Sequence, residues 1–346
     1  MSFENQIVKW YINNKRELPW RENIDPYRVW ISEIILQQTR VVQGEKYFND
    51  FIKKFPSIES LSSADESEVL KMWKGLGYYN RAINIHKTSK KITNELNGIF
   101  PNTYSELIKL NGIGDYTASA ISSICFNEYN PVVDGNVLRL LSRYYGLKNP
   151  IDSLKGQRNI REIGKKLIRK VDNPGDFNQA MMEYGALVCT PFPDCESCIF
   201  SSKCIAHINN EVDAIPVKSK KKKPKERFLN YIVFIDSKQK TIVNKRINKD
   251  IWYKLNEFPL IESKTEIKNI ITNSDFKKLI DNSSLTLKKE NEKIHRVKHI
   301  LSHQILYISF YQISVKEVIT SGVHLSYLNN YNFPVPITNF INKLLI

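Results

Sequence analysis

The stretch Ile108–Asp134, IKLNGIGDYTASAISSICFNEYNPVVD, decides how the N-terminal part of this 346-residue chain is read. At its centre, Leu110-Asn111-Gly112-Ile113-Gly114 separates a short apolar helix predicted from Tyr104 to Leu110 from a longer one predicted from Asp115 to Phe126. Glycine accepts dihedrals and close approaches that a side chain opposes. The first amides of a helix have no partner within it, and the helix dipole favours an anion at that end. Two helices joined by such a turn can clamp a phosphate on the backbone amides of Gly112, Ile113 and Gly114. Asp134 follows just beyond the second helix, where the next helix can aim its carboxylate. A C-capping glycine between packed helices spells the same letters, so the stretch alone leaves both readings open.

Upstream, residues 4–14 form an amphipathic helix with Ile7, Val8, Tyr11 and Ile12 on its apolar side. Lys15 to Arg21 reads as a compact non-helical connection whose polar side chains reach a pocket. Pro26 opens a helix in which Tyr27, Trp30, Ile31, Ile34 and Ile35 recur at the helical period up to Gln38. Glu33 lies within that apolar pattern. A helix glutamate is ordinarily solvated; one flanked by such neighbours can instead face a cleft, where burial raises its pKa and keeps it protonated. Further helical segments run from Val42 to Phe55, from Ser67 to Trp73, and through Leu96 after the glycine-punctuated bend Gly75–Arg81. Downstream of the opening stretch they cover residues 136–145, 157–170 and 176–188. No convincing strand alternation occurs before residue 205, so the first domain is predominantly helical.

Four of the five cysteines crowd together as Cys189-x5-Cys195-x2-Cys198-x5-Cys204. Four thiolates so close in sequence predict metal ligation, and the spacing leaves zinc and an iron–sulfur cluster equally open. Cys125, in an apolar run, reads as a small buried side chain. Past Glu211 the composition changes. Lys218–Arg227 is a basic, proline-interrupted linker, followed by β-compatible runs at Tyr231–Ile235, Thr241–Lys245, Leu285–Lys288 and His303–Tyr311. With a helix near Phe276–Ile280 and another after FPVP at Phe333–Pro336, this predicts an α+β second domain. The expected division is 1–215, a basic linker 216–227, and 228–346.

A formal charge of +15 and a pI near 9.4 favour a polyanionic partner. The N-terminus, MSFENQIVKW, carries an acid early and has no long apolar core, which argues against a secretory signal. No window approaches an uninterrupted apolar membrane span, so a membrane partner is not expected. The expectation is an intracellular protein.

Several motifs then occur together in one order: LPWR at Leu18–Arg21, DPYRVWISEIILQQTRV, GLGYYNRA, LNGIGDYTASAI, VVDGNVLRLLSR, FNQAMMEYGALVCTP and the four-cysteine loop. In this combination the chain resembles adenine DNA glycosylases of the MutY type, within the endonuclease III-like helix-hairpin-helix superfamily. The resemblance covers nearly the whole chain. It implies a helix-hairpin-helix glycosylase fold followed by a Nudix-like lesion-recognition domain. The implied reaction is monofunctional hydrolysis of the N-glycosidic bond of adenine mispaired with 8-oxoguanine or guanine, in base excision repair.

The resemblance also assigns roles. Glu33 matches the acid that protonates adenine at N7, and Asp134 the carboxylate that stabilises the sugar as the bond breaks. Tyr116 and Asn136 match groups beside them. Bifunctional relatives carry a lysine where Tyr116 stands, so strand cleavage through a Schiff base is disfavoured. Arg16, Trp20, Arg21 and Gln179 match the pocket for the extruded adenine, since the scissile bond is inaccessible inside the stack. Gln38 and Tyr78 match residues inserted into the duplex at the lesion. Ser302 and His303, in an H-x-x-S-H region beginning at His299, match contacts to the oxidised guanine, and Trp252 with Leu255–Pro259 is similar to an LWEFP-type motif. The long glutamate-rich signature of active Nudix pyrophosphatases is absent. Cys189, Cys195, Cys198 and Cys204 match a [4Fe–4S] ligand set, although their first interval encloses five residues where six is usual. The implied partner is double-stranded DNA carrying such mispairs. The protein is expected to act as a monomer, in the cytoplasm and on the nucleoid, as in a prokaryote.

Overall fold

The computed structural model describes residues 1–220, 223–288 and 293–345. Lys221 and Lys222 of the expected linker, and Ile346 at the end of the expected second domain, lie outside the described residues. The chain forms two compact units, Met1–Met72 with Arg81–Lys220 and Trp73–Asn80 with Lys221–Ile346.

The first unit is helical. Its helices are α1 (Phe3–Asn14), α2 (Pro19–Glu22), α3 (Pro26–Leu36), α4 (Val41–Lys54), α5 (Ile58–Ser63), α6 (Glu66–Met72) and α7 (Asn80–Glu95). They continue with α8 (Tyr104–Leu107), α9 (Asp115–Phe126), α10 (Gly135–Tyr144), α11 (Leu154–Ile168), α12 (Pro174–Leu187) and α13 (Ile205–Ile208). Helix α3 starts where Asp25 accepts hydrogen bonds from the Tyr27 and Arg28 amides, with Pro26 preset for the first turn. From Val29 to Ile35 all its residues are buried, as expected of a helix that is apolar on every side. Burying each Ile or Trp there contributes roughly 1.5–3 kcal/mol, which offsets the cost of carrying Glu33 into the interior. It packs against α4 and α9. The second buried helix, α12, is capped by Asn173 and packs on α1, α9 and α10. Phe177, Met181 and Tyr184 lock it to Ile7 and Tyr11 of α1 and to Leu140 and Leu141 of α10.

Two local features differ from expectation. The segment expected to be non-helical from Lys15 to Arg21 ends in the helical turn α2: Pro19 fixes its first φ, and Arg28 Nη2 donates to the Pro19 carbonyl at 3.1 Å. Helix α5, too short to show a period, is set by a reciprocal capping box between Ser57 and Ser60.

The cysteine loop requires a correction. Among the described residues no group of three or more His, Cys, Asp or Glu side chains is placed to hold a metal ion. The expected [4Fe–4S] cluster on Cys189, Cys195, Cys198 and Cys204 is therefore not supported, and all four are free cysteines. Two sulfurs have other partners: Tyr184 Oη lies 3.0 Å from Cys198 Sγ, and Arg143 Nη1 donates to Cys189 Sγ at 3.6 Å. Burial pushes the Cys189, Cys195 and Cys204 thiols above their ordinary pKa. Arg143, itself buried, ties the loop to the fold through the carbonyls of Thr190, Pro191 and Ile215.

The second unit has an α+β architecture. Strands β1 (Lys225–Ile235), β5 (Leu260–Ser263), β6 (Lys293–Ile300) and β7 (Gln304–Ser314) form a sheet in the order β5-β1-β7-β6. The short strands β2 (Lys240–Thr241), β3 (Asn244–Lys245), β4 (Asn256–Glu257) and β8 (Val323–His324) pair separately as β2-β8 and β3-β4. Strands β1 and β7 run parallel in register, Tyr231 opposite Phe310. Both carry nearly continuous apolar runs because both sheet faces are covered. Helix α15 (Val335–Leu344) lays Phe340 on Phe310 at 4.1 Å, and α14 (Ser274–Ser283) covers the opposite face through Phe276. The run at Leu285–Lys288 forms only an isolated bridge, Leu287 to Val315. Strand β6, with its charged outer positions, is an edge strand that periodicity alone did not reveal.

Candidate active site

A cavity of about 190 Å³ in the first unit is lined by Glu33, Asp134, Tyr116, Asn136, Arg16, Trp20, Arg21 and Gln179. These are the residues that the sequence assigned to catalysis and to an adenine pocket. They come from five helices and from the connection before α2, which carries Arg16, while α2 carries Trp20 and Arg21. Glu33 projects from the middle of α3, Tyr116 from the first turn of α9, Asp134 from the N-cap of α10, and Gln179 from α12.

Glu33 is 7% exposed. Burial pushes its carboxyl up to about 7; a hydrogen bond from Tyr116 pulls it back, Asp134 raises it further and Arg21 lowers it. Burial and the two carboxylates hold the Tyr116 phenol well above its ordinary value, so it remains a donor. Its hydroxyl also donates to Met182 Sδ at 3.4 Å, a weak acceptor beside a carboxyl oxygen. Asp134 caps α10 by accepting from the Val137 amide at 2.7 Å, and its other oxygen accepts from Asn136 Nδ2 at 2.7 Å. Burial raises its pKa, while those two donors and Arg139 favour the charged form.

Glu183, Arg139, Gly185 and Met182 were not singled out from the sequence. Glu183, 2% exposed, accepts from Arg16 Nε and Nη2 at 2.8 Å each and from Arg21 Nη2 at 3.0 Å. The two guanidiniums hold its carboxylate at a pKa of about 2 even though burial opposes them. Arg21 Nε donates to Gln179 Oε1 at 3.2 Å, which leaves the Gln179 amide nitrogen for the cavity. Arg139 donates to Asn136 Oδ1 at 2.9 Å, to the Gly185 carbonyl at 2.6 Å and to the Cys189 carbonyl at 2.7 Å. It thereby fixes which end of the Asn136 amide meets Asp134. Gly185 makes this approach possible, because a Cβ there would stand 2.8 Å from the Asn136 backbone oxygen. The available signal was spacing: Glu183 is one helical turn from Gln179, and Arg139 one turn from Asn136. Met182 lines the cavity as well.

The remaining predicted residues lie outside this cavity. In the hairpin, Gly112 has φ +76°, and a Cβ there would meet Asn84 Cβ at 2.6 Å. The Ile113 amide donates to the Leu110 carbonyl at 3.2 Å, and the first amides of α9 have no partner within their helix. Asp115 is turned aside by the Tyr104 hydroxyl at 2.5 Å and by an ion pair with Arg161. Gln38 is exposed, with a left-handed backbone at φ +60°. Within the second unit, Tyr78 has φ +49° and its hydroxyl lies 2.7 Å from Ser302 Oγ. His303 is exposed, and its carbonyl accepts from the Lys225 amide at 3.1 Å.

A buried acid paired with a capped carboxylate, beside a glycine hairpin on a helical scaffold, defines the class as a base-excision DNA glycosylase. Residues 31–175 match the HhH-GPD superfamily of base excision DNA repair proteins, and residues 230–343 match the NUDIX domain. The chain belongs to the adenine DNA glycosylase family of the MutY type: it is 36% identical to the adenine DNA glycosylase of Buchnera aphidicola subsp. Baizongia pistaciae over 99% of this chain and 96% of that one. Another, from Buchnera aphidicola subsp. Schizaphis graminum, is 39% identical over 88% of this chain and 86% of its own length. The structure is similar to a thermostable thymine-DNA glycosylase, at 28% identity and a TM-score of 0.55 over 60% of this chain and 95% of that one. Related adenine DNA glycosylases also occur in a plant and in mammals, so similarity does not tie the chain to a prokaryotic cell. Among the described residues no helix is long and apolar enough to cross a membrane.

Proposed function

We propose that this protein hydrolyses the N-glycosidic bond of adenine opposite 8-oxoguanine or guanine in duplex DNA, and stops at the abasic site. The observation that carries this reading is the meeting of Glu33 and Asp134 in one cavity with different surroundings. Glu33, pushed to about 7 by burial, holds a proton at neutral pH. Asp134 accepts two hydrogen bonds that favour its charge.

Adenine leaving as an anion is a poor leaving group. Glu33 donates its proton to N7, so the base departs neutral while positive charge develops on the sugar. Asp134 stabilises that charge electrostatically, and Tyr116 holds Glu33 in place. Water adds at the anomeric carbon and gives up a proton to a carboxylate. Trp20 packs edge-on against Phe48 at 5.3 Å and forms an apolar wall for the purine, while Gln179 and the Arg16–Glu183–Arg21 group address its polar edge. No lysine stands at position 116, which speaks against amine attack and strand cleavage.

Gly112, Gly114 and the opening amides of α9 hold a backbone phosphate. Gln38 and Tyr78 enter the duplex, and the second domain reads the oxidised guanine through Ser302 and His303. We place this action on DNA in the cytoplasm, by a single chain. Single-turnover release of adenine from a duplex with one 8-oxoguanine:adenine pair tests the reading. Release by the wild type, its loss in Glu33→Gln, and strand breaks only after alkali are expected. Binding without release in the wild type would make recognition, not catalysis, the better account.

A further inference from the structure

Helix α3 ends abruptly. Its last carbonyls have no partner within the helix, and ordinarily a glycine in the left-handed conformation terminates such a helix and lets following amides satisfy them. Here the residue beyond the cap is Gln38, with φ +60°, a conformation disfavoured for any residue carrying a Cβ. A residue held in that region persists only where its surroundings over-determine it.

Arg81, on the first turn of α7, supplies that constraint. Its Nη1 donates to the Ile34 carbonyl at 2.6 Å, the Ile35 carbonyl at 3.1 Å and the Gln37 carbonyl at 2.6 Å. One charged nitrogen thus closes the end of α3 and grips the peptide immediately before Gln38. The neighbouring side chain is fixed too, since Gln37 Nε2 donates to Thr117 Oγ1 on α9 at 3.3 Å. The Thr39 amide returns to the Leu36 carbonyl at 3.2 Å, which closes the turn on its far side. Gln38 itself is left exposed on this rigid corner.

We propose that Arg81 is a positioning residue for base extrusion: by capping α3 it presents Gln38 in the left-handed conformation needed to enter the duplex. This rests on the reading of Gln38 as the inserted residue. Lysine cannot reproduce the role fully, because a single ammonium on a flexible stem replaces a planar guanidinium.

The test uses the full-length protein and a duplex with 8-oxoguanine opposite 2-aminopurine, whose fluorescence rises when the base leaves the stack. Arg81→Gln is expected to lower the extruded fraction about tenfold, the cost of leaving a non-glycine residue free to quit the left-handed region. The pH midpoint of adenine release, set by Glu33 on the same helix, is expected to stay where it is in the wild type. A general loosening of α3 would move it. Gln38→Ala is expected to lower extrusion similarly, and the double variant to be no worse than the worse single one. If Gln38→Ala lowers extrusion and Arg81→Gln does not, or if the two losses multiply, the inference about Arg81 fails and the role of Gln38 stands. If Gln38→Ala itself leaves extrusion unchanged, the underlying reading fails and takes the inference with it. Circular dichroism melting checks folding. Should Arg81→Gln not fold, Arg81→Lys carries the same comparison, with a smaller loss expected and wild-type extrusion refuting.

Discussion

Replacing Glu33 by Gln tests the electrostatics of the site through stability as well as through rate. In the folded protein burial holds the Glu33 carboxyl near 7, against an ordinary value of 4.5. At ~1.4 kcal/mol per tenfold change in proton affinity, ionising it in place costs about 3 kcal/mol more than in the unfolded chain. The sign follows from proton binding. Between 4.5 and 7 the folded state retains a proton that the unfolded state releases. Stability contributed by the neutral carboxyl is therefore full below 4.5 and is lost as pH rises to 7. Glutamine, neutral at every pH, has no such loss. Urea unfolding of wild type and Glu33→Gln at pH 4.5, 6 and 8 should show the variant gaining on the wild type by about 3 kcal/mol across the range. Adenine release by the wild type should fall about tenfold per pH unit above the same midpoint near 7, because only the protonated acid can donate. A stability difference independent of pH would falsify the buried, protonated Glu33, and with it the reason for calling this residue the acid.

Asp134→Asn removes the negative neighbour that raises Glu33, so the Glu33 midpoint read from pH-dependent unfolding should move below that of the wild type; adenine release should be suppressed while duplex affinity persists. An unchanged midpoint would mean that the two carboxylates do not sense each other. Glu183→Gln strands Arg16 and Arg21 and should cost about 2–4 kcal/mol in denaturant unfolding, less than a fully buried pair because Arg16 keeps 33% of its side chain in water. Since Glu183 is held near 2, this stabilisation should survive mild acid and disappear only as pH falls from its ordinary 4.5 through about 2. Equal stability of variant and wild type at pH 6 would show the pair contributes nothing. Arg139→Gln frees the Asn136 amide to turn away from Asp134, so adenine release should slow by up to about a hundredfold with little change in duplex binding. Binding that weakens in step with release would assign Arg139 to DNA contact instead.

How far the sequence reaches can be judged residue by residue. The helical first unit was legible because α3 and α12 carry their own signals, Asp25-Pro26 and Asn173-Pro174 before apolar runs. The short elements α2 and α5 and the edge strand β6 were not, since a turn held by Arg28 or a strand recruited by its neighbour leaves little periodic trace. Glu33, Asp134 and Gln179 could be nominated by motif, whereas Glu183 and Arg139 sit unremarked within helices until their partners are known.

The sequence by itself determined which of the longer segments are helices, that a glycine hairpin precedes a carboxylate, and to which family the motifs point. These follow from contacts between residues a few positions apart. The tertiary structure decided the rest. The proton on Glu33 depends on burial and on Asp134, 101 positions away in the chain. The charge on Glu183 depends on two arginines far away in the chain, Arg16 before α2 and Arg21 within it. The four cysteines show the converse: close spacing along the chain did not place three of them within reach of one ion. Desolvation and Coulomb interactions are set by distances in space, and chain spacing fixes those distances only within a turn or two of helix.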